Sequence, residues 1–388
     1  MSEGTLRAIA QRLGSPADGE RAARIAWSGV SEPGDRVAGA LIRAYGPVEA
    51  YRLAFLDTDA AGIARRIETA PRTVAEARER WRPRASAPTT LDAVGAAQAI
   101  GAQIVIPGDA VWPTAFDDLG DHAPVCLWVR GHPEELGNPG IALVGARAAS
   151  PYGEHVAGEI AAGVARAEVN VVSGAAYGID GAAHRASLAE DGTTIAFLAG
   201  GCDRAYPAGH QDLLERILHR GAVASEVPCG SAPTKWRFLA RNRLIAAASA
   251  ATVVVEAGSR SGSLNTAGHA VSLGRPLGAV PGPVTSSSSA GTHRLLREYD
   301  AVCITDAAEA LELAGMGPGA LVPRSAGPRT DNVTRVRDAL SVRRSRTVTE
   351  VAVQSGMSER DVEAVLGILL LDASVLRDDG GWRLAGSR

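Results

Sequence analysis

From residue 100 onward the chain repeats one texture: short runs that are apolar almost throughout, alternating with Ala-rich stretches of helical length. The runs fall at 104–106, 126–129, 141–144, 169–172, 194–198, 252–255 and 277–280. A strand with one wet face alternates apolar and polar residues, so runs without alternation fit strands covered on both faces. Spacers of helical length then serve as crossovers. An α/β fold is expected, with an extended, Rossmann-like parallel sheet over residues 91–313.

The flanks read differently. Residues 20–80 suggest short helices rich in Ala and Arg, one closed by Leu41-Ile-Arg-Ala-Tyr-Gly-Pro47, which predicts a small helical N-terminal domain over 1–82. The Pro/Ser/Thr stretch 83–90 reads as a linker, and so does the Gly/Pro-rich stretch 314–329. Residues 330–388 form a separate unit: a helix at 333–340, a capping box of Thr347 and Glu350, a turn at Ser355-Gly-Met357, and a third helix capped by Ser358. A hairpin of 374–377 with 382–384 completes a winged helix. In a reader of duplex DNA that third helix would enter the major groove. Here it opens Glu359-Arg-Asp-Val-Glu363, whose acids repel phosphates, so a protein-contact or regulatory role is favoured. The basic residues Arg335, Arg337, Arg343, Arg344 and Arg346 keep duplex binding as the alternative.

Composition excludes several functions. A net charge of −3 rules out bulk polycation behaviour, so any nucleic-acid site is a local patch. Lys235 is the only lysine; because it lies between Thr234 and Trp236, the chain has no Walker A loop, and Schiff-base chemistry has only that residue to use. The four cysteines lie far apart without a C-x-x-C pair and read as buried thiols in a reducing compartment. No apolar run reaches membrane-spanning length and the N-terminus has no signal-peptide profile, which predicts a cytoplasmic protein with no membrane association.

In an open parallel sheet, ligands bind beyond the carboxyl ends of the strands. Four loops qualify. In Val144-Gly-Ala-Arg147, Gly145 allows a tight exit, Arg147 projects from the turn, and Ser150-Pro151 starts a helix. The loop lacks G-x-G-x-x-G, so it fits a phosphate facing an arginine better than a dinucleotide. In the second loop, Ser173 and Gly174 leave a strand with free backbone N–H groups, while Asp180 and His184 lie four apart on one helix face, able to share a hydrogen bond. With no third ligand nearby, no metal site is expected. The third loop, Gly200-Gly-Cys-Asp-Arg-Ala-Tyr-Pro207, offers Arg204 and Tyr206 to a ligand, though Tyr206 serves packing equally well. The fourth, from Val255 to Thr266, presents small residues and the hydroxyls of Ser261 and Ser263 ahead of a helix. No carboxylate follows from Ser263 to Leu273, so the loop can hold phosphate without the general base that cleavage needs.

Residues 234–243, Thr-Lys-Trp-Arg-Phe-Leu-Ala-Arg-Asn-Arg, interleave four cations with two aromatics and no acid. Two readings stand: a path for single-stranded nucleic acid, with cations on phosphates and an aromatic under a base, or a solvated helix start whose Trp and Phe enter the core.

Gly-Ala-Arg147, Ser-Gly-Ala-Ala-Tyr-Gly-Ile-Asp180 with His184, Gly-Gly-Cys-Asp-Arg-Ala-Tyr-Pro207, Ser-Glu-Val-Pro228, Phe-Leu-Ala-Arg-Asn-Arg243, Ser-Gly-Ser-Leu264 and Ala-Val-Pro-Gly282 occur in that order. Over residues 95–313 the chain resembles the DNA-processing protein A family, DprA, also called Smf. The resemblance implies a Rossmann-like protein that binds single-stranded DNA without catalysis, cofactor or metal. It implies protection of incoming strands in natural transformation, loading of RecA recombinase, and a homodimer. By position, Arg147, Lys235, Phe238, Arg241, Asn242 and Arg243 would form the strand-binding pocket, with contacts from Ser173, Gly174 and Ser261. Ala146 stands where threonine or serine is common in the family, and Leu239 where proline is; neither change removes a charge. The competing expectations are a nucleotide-cleaving phosphoribohydrolase on a related scaffold, and a duplex-DNA regulator working through residues 330–388.

Overall fold

The computed structural model describes residues 2–14, 18–56, 60–317, 332–371, 374–378 and 380–385. The chain divides into two compact units, 1–320 and 321–388.

Seven helices come first: α1 (Ser2–Arg12), α2 (Gly19–Val30), α3 (Arg36–Tyr45), α4 (Pro47–Phe55), α5 (Ala60–Arg66), α6 (Pro71–Trp81) and α7 (Ala87–Ala99). Asp18 and Asp35 cap α2 and α3 through their carboxylates. Trp27 sits at their centre, edge-on to Tyr51 at 5.7 Å and to Trp81 at 5.0 Å. The stretch 83–90, expected as a linker, instead leads into α7, because Ser86 supplies the cap and Pro88 lies in the first turn, where a missing N–H costs nothing.

The strands are β1 (Gln103–Val105), β2 (Leu127–Gly131), β3 (Gly140–Gly145), β4 (Asn170–Ser173), β5 (Thr194–Leu198), β6 (Ala222–Ser225), β7 (Ala251–Glu256), β8 (Leu277–Ala279) and β9 (Val302–Cys303). They form one sheet in the order β1-β2-β6-β5-β4-β3-β7-β8-β9. From β6 to β9 every pairing is parallel, whereas β1 with β2 and β2 with β6 are antiparallel. The sheet is therefore mostly parallel, and the runs at 104–106 and 126–129 belong to its antiparallel edge. The crossover helices are α8 (Pro151–Arg166), α9 (Ile179–Ala189), α10 (Gln211–Ile217), α11 (Lys235–Ala247), α12 (Ser263–Ser272) and α13 (Ala290–Glu298), and α14 (Ala307–Leu313) follows β9.

Burial on both faces explains the unbroken apolar runs. Along β3, Ile141 and Leu143 face α8, while Ala142 and Val144 join a second core with Phe197, Leu244 and Ile245. Along β5, Ile195 and Phe197 enter that second core, and Ala196 and Leu198 meet the N-terminal helices. The N-terminal helices thus share a core with β2, β5 and β6. Strand order reverses at β3: the chain runs β3 to β6 on one side and β7 to β9 on the other. Such a reversal opens a crevice at the carboxyl ends of the two middle strands.

The second unit holds α15 (Asn332–Asp338), α16 (Val348–Ser355), α17 (Glu359–Leu371) and a hairpin of β10 (Val375–Asp378) with β11 (Gly381–Leu384). Thr347 and Glu350 form the expected capping box, and Gly356 ends α16 in the left-handed region. Val336, Val351, Val362 and Leu366 make its core. Residues 318–329 of the expected linker lie outside the described residues.

Candidate nucleic-acid interface

A cleft of about 760 Å³ opens at the switch point, lined by Arg147 and Ala148 after β3, Ala176 and Asp180 after β4, Arg241 and Asn242 of α11, and the 258–263 loop after β7. A bulge at Val144/Gly145 bends the end of β3, and the Ala146 N–H donates to the Glu256 carbonyl at 2.7 Å. Arg147 leaves this turn exposed, and its guanidinium lies over the Phe238 ring, 4.6 Å from the centroid. Tyr206, 45% exposed, packs its ring on the same phenylalanine with centroids 5.4 Å apart. The two offers of the third loop are thus compatible: Tyr206 both packs and faces solvent.

α11 explains the mixed decapeptide. Thr234 caps it by accepting the Arg237 N–H. Its first turns lie at the surface, with Lys235 exposed, Trp236 62% exposed and Phe238 half-buried, while residues 241–247 are buried. Only some of its cations face solvent. Arg237 is paired with Glu32 at 3.0 Å. Arg243 is buried, donating to both oxygens of Glu226 at 2.7 Å and to the carbonyls of His122 and Ala240. Arg243 is one of the phosphate ligands expected from sequence, and here every one of its guanidinium nitrogens is committed inside the fold.

Arg241 holds an intermediate position. It lines the cleft and is nonetheless buried, donating to the Gly174 carbonyl at 2.7 Å and to the Phe197 carbonyl. A side chain at 174 would collide with this guanidinium, which is why glycine stands there. Burial pushes the Arg241 pKa down to about 10, with Asp180 pulling it back up and Arg147 adding to the fall. Asp180 itself is driven upward by burial, against the opposing pull of Arg241 and of the Ala176 and Gly174 N–H groups that it accepts. Asp180 therefore braces the turn after β4. It does not meet His184, whose Nδ1 pairs with the Thr194 hydroxyl at 2.6 Å. The Ser173 hydroxyl, also expected at the site, is fully buried and donates to the Leu143 carbonyl. The Gly174 N–H is taken by Asp180, so neither residue presents a free donor to a strand. Asn242 ties α11 to α12 through Gly262 and Asn265, each at 3.3 Å.

Of the helix N-termini at this end of the sheet, those of α8 and α12 differ. At α8 the Glu256 carboxylate accepts the Ser150 N–H and hydroxyl at 2.8 Å and the Ser288 hydroxyl at 2.7 Å. A Cβ at Gly153 would strike that carboxylate. The protein's own anion fills the seat where a dinucleotide fold holds phosphate. At α12 the N-cap is Gly262, with no side-chain cap, and the Ser261 hydroxyl leans on Ser263 at 2.8 Å beside it. Arg260, exposed in the same loop, also lines the cleft with Arg147 and is a candidate site residue that the small-residue pattern of this loop does not single out. Its signal was an arginine inside a Gly/Ser turn after a strand, the same pattern as Arg147. Among the described residues no group of three or more potential ligands could hold a metal ion.

Comparison with known proteins bears on the fold and the family. The profile of the family described as DNA recombination-mediator protein A matches residues 103–315. A DNA processing protein DprA of Mycobacterium tuberculosis is 46% identical over 301 residues, 73% of this chain and 77% of its own. The Smf protein of Escherichia coli is 40% identical over 210 residues, 54% of this chain and 56% of its own. In three dimensions the X-ray structure of DNA processing protein A from Streptococcus pneumoniae covers 74% of this chain and 94% of its own, at 30% identity and a TM-score of 0.58. With a matching profile over more than half its length and a relative of this extent, the chain belongs to the DNA recombination-mediator protein A family.

Proposed function

We propose that the protein is a non-enzymatic recombination mediator that binds single-stranded DNA across the mouth of the switch-point cleft. The observation that carries this is the stack of Arg147 on Phe238 with Tyr206 beside it, at the rim of a cleft that also presents Arg260. A guanidinium seated on a ring offers charge to a phosphate and leaves aromatic surface for an unpaired base. Lys235, one turn before Phe238 on the exposed face of α11, extends the cationic path. Arg241, Asn242 and Ser261 act from the floor, where Arg241 supplies field more than contact. A catalytic alternative would need a carboxylate free to take a proton, and the two nearest are occupied, Asp180 by backbone N–H groups and Glu256 by serines.

Family membership extends the reading to strand protection and RecA loading, to a homodimer, and to work in the cytoplasm. Among the described residues no helix is long and apolar enough to cross a membrane. The second unit, with its helices α15 to α17 and hairpin, is assigned to the winged-helix class and to protein contact, since Glu359 and Asp361 occupy the first turn of α17. The test is retention of oligo-dT at about 150 mM salt. Arg147→Ala combined with Lys235→Ala is expected to abolish it, and unchanged affinity in the folded double variant overturns the assignment. RecA assembly on a single strand, timed with and without the protein, tests the mediator role separately.

A further inference from the structure

Cys202 and Cys229 are 27 residues apart in sequence, yet their sulfurs lie 3.8 Å from each other. Both side chains are buried. Cys202 follows β5, and Cys229 lies in the segment between β6 and α11. These segments already grip each other: the Gly201 N–H donates to the Ser231 carbonyl at 3.0 Å, and the Gly230 N–H to the Asp203 carboxylate at 2.9 Å. The backbone on both sides of the sulfur pair is therefore held in register. Each cysteine also borders its own cleft. Cys202 lines a cleft of about 510 Å³ with Arg130 and Tyr206, and Cys229 lines another of about 330 Å³ with Ser28 and Arg237. The remaining cysteines have no such neighbour: Cys126 is buried with its thiol toward the Arg24 carbonyl, and Cys303 is exposed on the edge strand β9.

We propose that Cys202 and Cys229 are a redox-responsive dithiol that closes to an intrachain disulfide when a peroxide or a small-molecule disulfide reaches it. With hydrogen peroxide, two S–H bonds break and one S–S bond forms. The two electrons cleave the O–O bond, and the two protons leave with its oxygens as two waters. The sulfurs need to close from 3.8 Å to about 2 Å, an adjustment for two loops that asks nothing of the strands. The contact with Cys229 and burial push the Cys202 pKa far up, so Cys202 rests as a thiol, and attack by a thiolate quickens as pH rises. In a reducing compartment such a bond is transient and acts as a sensor. Once formed, it clamps the segment carrying Tyr206 to the one that starts α11, closing a loop that contains α10 and β6.

The full chain, treated with hydrogen peroxide or oxidised glutathione at neutral and at alkaline pH, is digested without reduction and its peptides weighed. A peptide joining Cys202 to Cys229 is expected, titratable thiols fall from four to two, and Tm rises by about 5 °C and returns with dithiothreitol. Cys202→Ser and Cys229→Ser each lose the Tm response, while Cys126→Ser keeps it. Absence of the linked peptide, oxidation of one sulfur alone to sulfinic acid, or an undiminished Tm gain in Cys202→Ser overturns the proposal. The linked peptide in the unsubstituted protein decides the matter even if a variant fails to fold.

Discussion

Arg243 and Glu226 meet through two hydrogen bonds of 2.7 Å with side chains only 5% and 8% exposed. Glu226 also accepts the Gly34 N–H, so the pair fastens α11 to the segment between α2 and α3. Removing one partner of a buried pair strands the other's charge. Arg243→Ala is expected to destabilise the fold by about 3–5 kcal/mol, seen as a lowered Tm and denaturation midpoint. The strand affinity of whatever remains folded stays unchanged. A loss of affinity with normal stability would return Arg243 to the binding surface.

Arg147 is expected to behave in the opposite way. Exposed and without a carboxylate partner among the described residues, it can be lost with little effect on Tm. Arg147→Ala should weaken single-strand binding by about 1–2 kcal/mol and flatten the dependence of log K on log salt by about 0.7. Arg260→Ala should give a similar slope change if the strand crosses the 258–263 loop. Titrations with oligo-dT at two salt concentrations read both.

The contact of Arg147 with Phe238 predicts coupling. Phe238→Ala removes the ring that seats the guanidinium and the surface offered to a base, so its cost should be about 1–3 kcal/mol. In a double-mutant cycle the two losses should fall short of additive by about 0.5–1 kcal/mol. Strict additivity would mean that the stack does not organise the site.

His184 gives stability an acid limb. Burial holds its pKa down at about 3, with His210 and Arg241 pushing the same way, against an ordinary value of 6.5. Between those values the unfolded chain binds a proton that the folded one refuses, so stability falls as pH drops through this window. The loss from this one residue reaches about 2 kcal/mol by pH 5. Melting curves from pH 7 to pH 4 should show a falling Tm, and His184→Gln should flatten that limb.

Removing residues 321–388, the second compact unit, should leave single-strand affinity within about twofold, because every residue assigned to the strand lies in the first unit. A truncation that folds and no longer binds would move the interface to the second unit.

The sheet was legible because burial on both faces leaves an unbroken apolar run, as in β3, β5 and β7. β6 has no comparable run, since Ala222-Val-Ala-Ser225 is small rather than greasy, and β9 has none because it is a two-residue, exposed edge. Antiparallel pairing of β1 and β2 has no signature in composition. At the site, Arg147 and Phe238 stood out as an exposed-turn arginine and an aromatic among cations, and the structure brings them together. Arg241 and Arg243 look the same in sequence as a solvent-facing cation. Only the carbonyls of Gly174 and Phe197 and the distant carboxylate of Glu226 reveal them as internal struts.

Glu256 carries a consequence for life inside a crowded solution. By seating its carboxylate against Ser150 at the start of α8, the chain supplies the negative group that a free ATP or NAD would otherwise bring there. With that berth taken, small nucleotides should compete poorly with the polymer proposed to spread its charge along the rim. Under the proposed binding mode, a preference for long ligands over short ones would be partly built in by a residue that touches neither.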